Sequence, residues 1–484
     1  MSSPFKRHQM LELTIEDLAF GGQGIARLND FVIFFPRSGT PGQRVRARLK
    51  RVKENYAEAQ IESVLEKSPL EITAPCPYFN YCGGCRFQNL PYEQQIKFLE
   101  RQVTELYCHL GGYRDVQIDP IIPAVEIFRY RNKMEFAFSD RRWLIENDDL
   151  SRPIDFAIGL RTPNNYYKAV DIDDCLIAPP ETAEIIRLVR EYARHHNLTP
   201  YNHRRHTGYL RHLVLRKGIF TDQIMVNLVT SADTPEVLEP LAYNLTQNLK
   251  NITSVVNTVT DNVCGTTTGK VIRLLTGQAF ITDRIGNLTF KISPASFFQT
   301  NTRMAIKLYE IIKQFAQPEP HHVIWDLFCG TGSIALFLAR DCRQVIGFEV
   351  VADAVADAIE NARLNAIENA SFICANLERD FFTTPNSELN LPTPDIIIVD
   401  PPRTGLTPQL IAKMRQILPN RIIYVSCNPA TQVRDLKKLT ADNMYQIIKV
   451  QPIDLFPHTP HIETVTLLER YDFCGYTVAT ESNP

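Results

Sequence analysis

The chain has 484 residues, 44 % of them apolar and 22 % charged, with a formal net charge of −2. This length exceeds a single core and predicts about two to four globular domains. No stretch approaches the roughly 18 apolar residues that cross a bilayer. Residues 1–10 are polar and basic, unlike a secretory signal, so a cytoplasmic protein with no membrane partner is expected.

Residues 11–64 alternate as short strands punctuated by Gly21, Gly22, Gly24, Gly39 and Gly42, the spacing of a small β-barrel. Arg37, Arg44, Arg46, Arg48, Lys50, Arg51 and Lys53 crowd part of it. Over residues 44–50 the two-residue period puts the basic side chains on one face. Such a face is either simply solvated or a track for a nucleic-acid backbone. Next comes Cys76-x5-Cys82-Gly83-Gly84-Cys85. Eleven cysteines in a chain this long do not make a disulfide scaffold, and three thiols this close suit zinc or an iron–sulfur cluster. A fourth ligand must come from elsewhere, since Cys108 falls in a helix expected over 92–110. Residues 116–291 mix strands (133–138, 213–216, 223–229) with helices (180–195, 235–249), an α+β pattern. They carry a second basic group, Arg187, Arg190, Arg194, Arg204, Arg205, Arg211, Arg216 and Lys217, interleaved with His195, His196, His203 and His206. Two basic segments in a near-neutral chain point to a polyanion partner.

From about residue 294 helices and strands alternate, with strands expected at 322–327, 344–349, 370–374, 396–399 and 421–425 and two more near the end. This is the pattern of a doubly wound parallel sheet, which binds ligands at the carboxyl ends of its strands. Trp325-Asp326-Leu327-Phe328-Cys329-Gly330-Thr331-Gly332 ends the first strand and opens a helix at 333–339. Gly330 and Gly332 let the backbone approach a ligand at a helix start, and Glu349 at the end of the next strand suits ribose hydroxyls. The same loop also satisfies a dinucleotide-binding pattern. Ile396-Ile397-Ile398-Val399-Asp400-Pro401-Pro402-Arg403 argues for methyl transfer to a base instead: the apolar strand runs into a stiff polar wall over the cofactor. Arg403 stands where amine-methylating enzymes carry an aromatic residue, so an exocyclic amine is a poor target.

The strand at 421–425 leads into Ser426-Cys427-Asn428-Pro429, placing a thiol at the same sheet edge. Carbon 5 of uracil is too weak a nucleophile to take a methyl group directly. A thiolate added at carbon 6 makes the ring an enolate whose carbon 5 attacks a methyl sulfonium. A base must then remove the carbon-5 proton. Glu463, at the start of the last strand with apolar flanks that raise its pKa, suits that task.

Together these residues resemble the RNA uracil-C5 methyltransferases over nearly the whole chain. Phe297-Phe298-Gln299-Thr300-Asn301, 326–332, 400–405, 426–429 and 461–465 match family motifs in order. Residues 11–64 resemble a TRAM domain, an OB-like RNA-binding barrel. The resemblance implies Cys427 as nucleophile and Glu463 as proton acceptor. It also implies Gln299, Phe328, Glu349 and Asp400 around S-adenosylmethionine, with Asn376 where many methyltransferases place an acid near the adenine. It further implies a [4Fe–4S] cluster on Cys76, Cys82, Cys85 and Cys175. Members acting on ribosomal RNA carry cluster and TRAM domain, whereas the bacterial transfer-RNA enzyme lacks both, which favours 23S ribosomal RNA as substrate. The expected architecture is therefore multidomain: a TRAM-like barrel (1–68), a cluster segment and helix (69–115), a central α+β RNA-binding domain (116–292) and a Rossmann-like methyltransferase domain (293–484), acting as a monomer without an obligate protein partner. The competing readings are uracil methylation of transfer RNA, cytosine-C5 methylation, and an RNA-binding assembly factor without catalysis. Cytosine-C5 enzymes usually carry Pro-Cys where this chain has Pro401-Pro402, and a catalytic relic would have lost Cys427 or the glycine loop.

Overall fold

The computed structural model describes residues 4–36, 38–146, 148–163, 165–263, 265–377 and 391–471. Arg37 and residues 472–484 of the expected methyltransferase segment lie outside the described residues. No helix among the described residues is long and apolar enough to cross a membrane.

Six strands form the amino-terminal barrel-like sheet, ordered Met10–Thr14, Arg44–Val52, Tyr56–Glu66, Phe31–Phe35, Gln23–Leu28, Asp17–Ala19. The alternation on Arg44–Val52 is realised: Val45, Ala47 and Leu49 are fully buried while Arg44 and Arg46 face out. The outer face is not simply basic, however. Arg44 pairs with Glu12 and Glu66, Arg46 with Glu12, Arg48 with Glu62 and Arg51 with Glu58. These carboxylates come from the flanking strands, so cross-strand pairing neutralises a charge run that looks uncompensated along the chain.

The central sheet has the order Ala157–Gly159, Lys133–Ser139, Leu210–Lys217, Ile224–Thr230, Ile252–Val259, Val271–Gly277. Helices Thr182–His195 and Pro235–Asn248 share its core. Much of the second basic group is also spent inside the fold. Arg211 is fully buried, stacks 4.1 Å from the Tyr201 ring and donates to the Thr260 carbonyl. Arg216 is buried and donates to the Ser296 carbonyl at 2.5 Å. Arg190 pairs with Asp171, Arg187 with Glu184 and Glu191, and Lys217 with Glu181.

The catalytic sheet has eight strands, ordered Ala370–Cys374, Gln344–Glu349, Val323–Leu327, Ile396–Val399, Arg421–Ser426, Glu463–Arg470, Tyr445–Ile453, Gln117–Ile118. The first five run parallel, and Glu463–Arg470 inserts antiparallel to both its neighbours. Ile396–Val399 is buried at every position, as a strand covered on both faces must be. The helix Thr302–Ala316 repeats buried residues at Met304, Leu308, Ile312 and Phe315, one face of a 3.6-residue period. Its Asn301 cap accepts from the Met304 amide at 3.2 Å.

Two segments pack differently from the domain division expected from sequence. The hairpin Ile281–Ile285/Leu288–Ile292, grouped there with the central domain, buries Ile281, Ile285, Phe290 and Ile292 in the core of the catalytic sheet. Helix Tyr92–Glu105, grouped with the cluster, covers the sheet's other face with Phe98, Leu99 and Val103. It ends in a π turn, Leu106–Gly111, where Tyr107 is fully buried and donates to Gln432 at 2.8 Å. An amphipathic pattern declares that a face is covered but not by which element, so packing across domains is invisible along the chain.

Candidate active site

A cavity of about 780 Å³ opens at the carboxyl ends of the parallel strands. It brings together Gln299, Phe328, Gly330, Glu349, Asn376, Asp400, Cys427 and Glu463 from seven separate stretches of sequence. Gly332 does not line it. At φ +77° this residue starts the helix Ser333–Ala339, and an added Cβ would lie 2.8 Å from the Phe372 ring, so its requirement is packing and backbone conformation.

The cofactor end is shaped by backbone amides. The Glu349 carboxylate accepts from Gly330 at 3.1 Å on one oxygen, and from Val350 and Val351 at 2.8 and 2.9 Å on the other. Phe328 adopts a left-handed backbone (φ 67°), a conformation that for a bulky residue marks a functional turn. Behind it the fully buried Asp326 accepts from the Ala335 amide at 3.0 Å. Burial, with Asp400 and Glu349 nearby, holds the Asp326 carboxyl well above its usual range.

Cys427, Asp400 and Glu463 stand near one another in the same cavity. Cys427 follows the strand Arg421–Ser426, and its loop is tied to the Asp400 loop by the Asn428 amide group, which donates to the Arg403 carbonyl at 3.1 Å. Burial pushes the Cys427 thiol up to about 11, with Glu463 and Asp400 adding to the rise, while Arg403 hydrogen-bonds it and opposes the rise. Glu463 is buried and held well above the usual carboxyl range by burial and then by Asp400; Arg403 works against this too. Burial pushes Asp400 up to about 7.

Two cations missed by the sequence reading complete the wall, Arg131 and Arg403. The Arg403 guanidinium also approaches the His461 ring at 3.3 Å, and burial, Arg403 and Arg131 push His461 down to about 4. His461 is thus neutral near pH 7. Arg403 was visible only as a departure from an aromatic pattern, and Arg131 precedes its strand with no motif around it.

The four cysteines expected as cluster ligands lie near one another. Cys175 lies close enough to Cys76, Cys82 and Cys85 to raise the thiol pKa of all three, and Cys76 and Cys85 also raise Cys82, although burial is the main cause in every case. Burial pushes Cys85 up to about 12. Backbone N–H groups point at the sulfurs: Tyr78 and Phe79 at Cys76, Gly84 at Cys82, Ile177 and Ala178 at Cys175. Four half-buried thiols from two distant segments, each poorly able to ionise alone and several supplied with N–H donors, are a donor set whose chemistry suits a cationic metal centre. The loop is held against the central domain by the Gly83 amide on the Arg161 carbonyl at 3.0 Å. An added Cβ at Gly83 would sit 2.7 Å from that same oxygen.

The tRNA (uracil-5-)-methyltransferase family model matches residues 217–471, more than half of the chain. The chain belongs to this family. A TRAM domain matches residues 4–61. An uncharacterised RNA methyltransferase of Chlorobaculum tepidum is 38 % identical over 472 residues, covering 96 % of this chain and 97 % of the relative. Another from Halalkalibacterium halodurans is 35 % identical over 468 residues, with 96 % and 98 % covered. Among solved structures, the Pyrococcus abyssi tRNA (uracil-54, C5)-methyltransferase in complex with S-adenosyl-L-homocysteine aligns with a TM-score of 0.73. That alignment has 29 % identity and covers 95 % of this chain and all of the other. The protein is therefore an RNA (uracil-C5) methyltransferase using S-adenosylmethionine, built from a TRAM domain and a methyltransferase fold.

Proposed function

We propose that the protein methylates carbon 5 of a uridine in 23S ribosomal RNA, with Cys427 as nucleophile and Glu463 as proton acceptor. The observation that carries the reading is one cavity holding the Cys427 thiol, the Asp400 and Glu463 carboxyls and the Arg131 and Arg403 guanidiniums beside the glycine loop. S-adenosylmethionine supplies an electrophilic methyl group at the Gly330 and Glu349 end. Cys427 gives up its thiol proton to solvent and adds to carbon 6 of the target ring as a thiolate; Arg403, hydrogen-bonded to the sulfur, stabilises that anion. Carbon 5 gains the electron pair and takes the methyl group, the sulfur–methyl bond breaking so that S-adenosyl-L-homocysteine leaves. Glu463 then removes the carbon-5 proton, and the returning electron pair expels the thiolate from carbon 6. A base swung out of its stack meets these groups over the Pro401-Pro402 wall.

Cys76, Cys82, Cys85 and Cys175 are proposed to hold a [4Fe–4S] cluster. The cluster's task is to clamp the 75–85 loop to the central domain; the methyl transfer moves no electrons. Protein purified without air is expected to be brown, with about four irons per chain; colourless protein with stoichiometric zinc overturns the assignment.

The alignment of the Pyrococcus abyssi transfer-RNA enzyme over 95 % of this chain favours transfer RNA as a second reading. RNA carrying tritium on uracil carbon 5 separates the two. Release of tritium to water from 23S fragments alone supports the first. Release from transfer RNA alone replaces it, and release from neither overturns the chemistry.

A further inference from the structure

A second pocket of about 420 Å³ adjoins the catalytic cavity and shares Arg131 and Thr300 with it. This volume lies within the range of about 300–1,000 Å³ typical of small-ligand sites. Its wall is one face of the central sheet. Strand alternation turns Lys133, Glu135 and Ala137 the same way, in step with Arg131 just before the strand. The register sets Ala137 opposite His212 on the next strand. The far wall is the cysteine-loop backbone at Gly83 and Gly84, and Arg161.

Three features make it a site rather than a packing gap. Arg131, Lys133 and Arg161 outnumber Glu135, so the pocket carries excess positive charge. Lys133 and Glu135 pair at 2.6 Å on the partly exposed side, an ion pair worth little and readily exchanged for a phosphate. His212 is 6 % exposed, yet its Nε2 has no hydrogen-bond partner among the described residues. A buried ring nitrogen without a partner costs stability unless a ligand supplies one.

We propose that this pocket is a subsite for a nucleotide flanking the target uridine, with its phosphate at Lys133 and its base edge against His212. A strand whose uridine enters the Cys427 cavity passes Arg131 and Thr300 to reach it, so the inference rests on the proposed path of the RNA. Selectivity for sequence around the uridine would then reside in the central domain.

The test is binding of a fluorescein-labelled, single-stranded ten-nucleotide RNA with one uridine to the full-length protein, read by anisotropy across salt. Each linkage is replaced in turn by a neutral methylphosphonate. Lys133→Ala is expected to weaken binding about fivefold and to lower the salt slope by about 0.7, one single-strand phosphate contact. It should also abolish the loss that the wild type shows at a linkage beside the uridine. Glu135→Gln should instead tighten binding, which separates lost charge from lost folding. With the flanking nucleotide made abasic, the wild type should weaken and His212→Leu should not weaken further. An unchanged salt slope in Lys133→Ala, additive losses at every linkage, or weakening by both Lys133→Ala and Glu135→Gln overturns the subsite. Methylation of the same RNA is scored separately, so a failure of the catalytic reading with the linkage coupling intact is recognisable.

Discussion

The molecule holds two thiol sites under the same penalty and answers it in different ways. Burial raises Cys427 to about 11 and Cys85 to about 12. Across from Cys427 stands an exposed cation, Arg403, together with two carboxyls that work against ionisation. Across from Cys76, Cys82 and Cys175 stand backbone amides fixed by the fold. A nucleophile has to become an anion, form a bond and leave again, so a side-chain counter-charge within a poised set of acids suits it. A permanent ligand needs the opposite, donors that never move and a metal to supply the positive charge.

Removing the proposed nucleophile should have the largest effect. Cys427→Ala is expected to cut tritium release by about 10⁴-fold or more, with RNA binding by anisotropy changed by less than about twofold. Glu463→Gln should lower kcat by about 10²–10³-fold. It should also accumulate a protein–RNA adduct visible as a slow band on denaturing gels, which the double variant with Cys427→Ala does not form. A missing band would end the division of labour between the two residues. At the other thiol site, Cys175→Ser should lose iron and lower the Tm by roughly 5 °C, with residual methylation in the fraction that stays folded. Abolished chemistry in a fully folded Cys175→Ser protein would instead make the cluster part of the mechanism.

The smallest effect is one of pH. Asp400 is raised from 3.8 to about 7 in the fold, so the folded chain binds its proton more tightly than the unfolded one. Its contribution to stability is complete below about pH 3.8 and is lost as pH rises through about 7. The Tm of the protein free of S-adenosylmethionine should therefore fall slightly between pH 5 and 7.5. Asp400→Asn should flatten that slope; an identical slope in the variant would show that other groups set it.

The catalytic half was legible because its signals are local. Ile396–Val399 and Arg421–Ser426 are unbroken apolar runs, and the polar residues that end them fall at one sheet edge by topology alone. Cys427, Glu463 and Asp400 could be placed together from that rule. Arg131 and Arg403 could not, since a cation gains its meaning from the acids across the cavity, and these come from distant stretches. The pairing of the basic runs within the fold was hidden for the same reason in reverse. Glu12, Glu62 and Glu66 lie on neighbouring strands, and the carbonyls that hold Arg211 and Arg216 lie far along the chain.

The helix Tyr92–Glu105 and its π turn also bear on how the molecule is made. The Tyr107 hydroxyl meets Thr466 at 2.7 Å, 359 residues later. At about 5–20 residues per second of synthesis, that separation is a delay of roughly 20–70 s on the ribosome. Phe98, Leu99 and Val103 wait first for the strand that begins at Val323 and then for those that follow it. The nascent chain thus carries this apolar face with its cover incomplete until the last strand arrives.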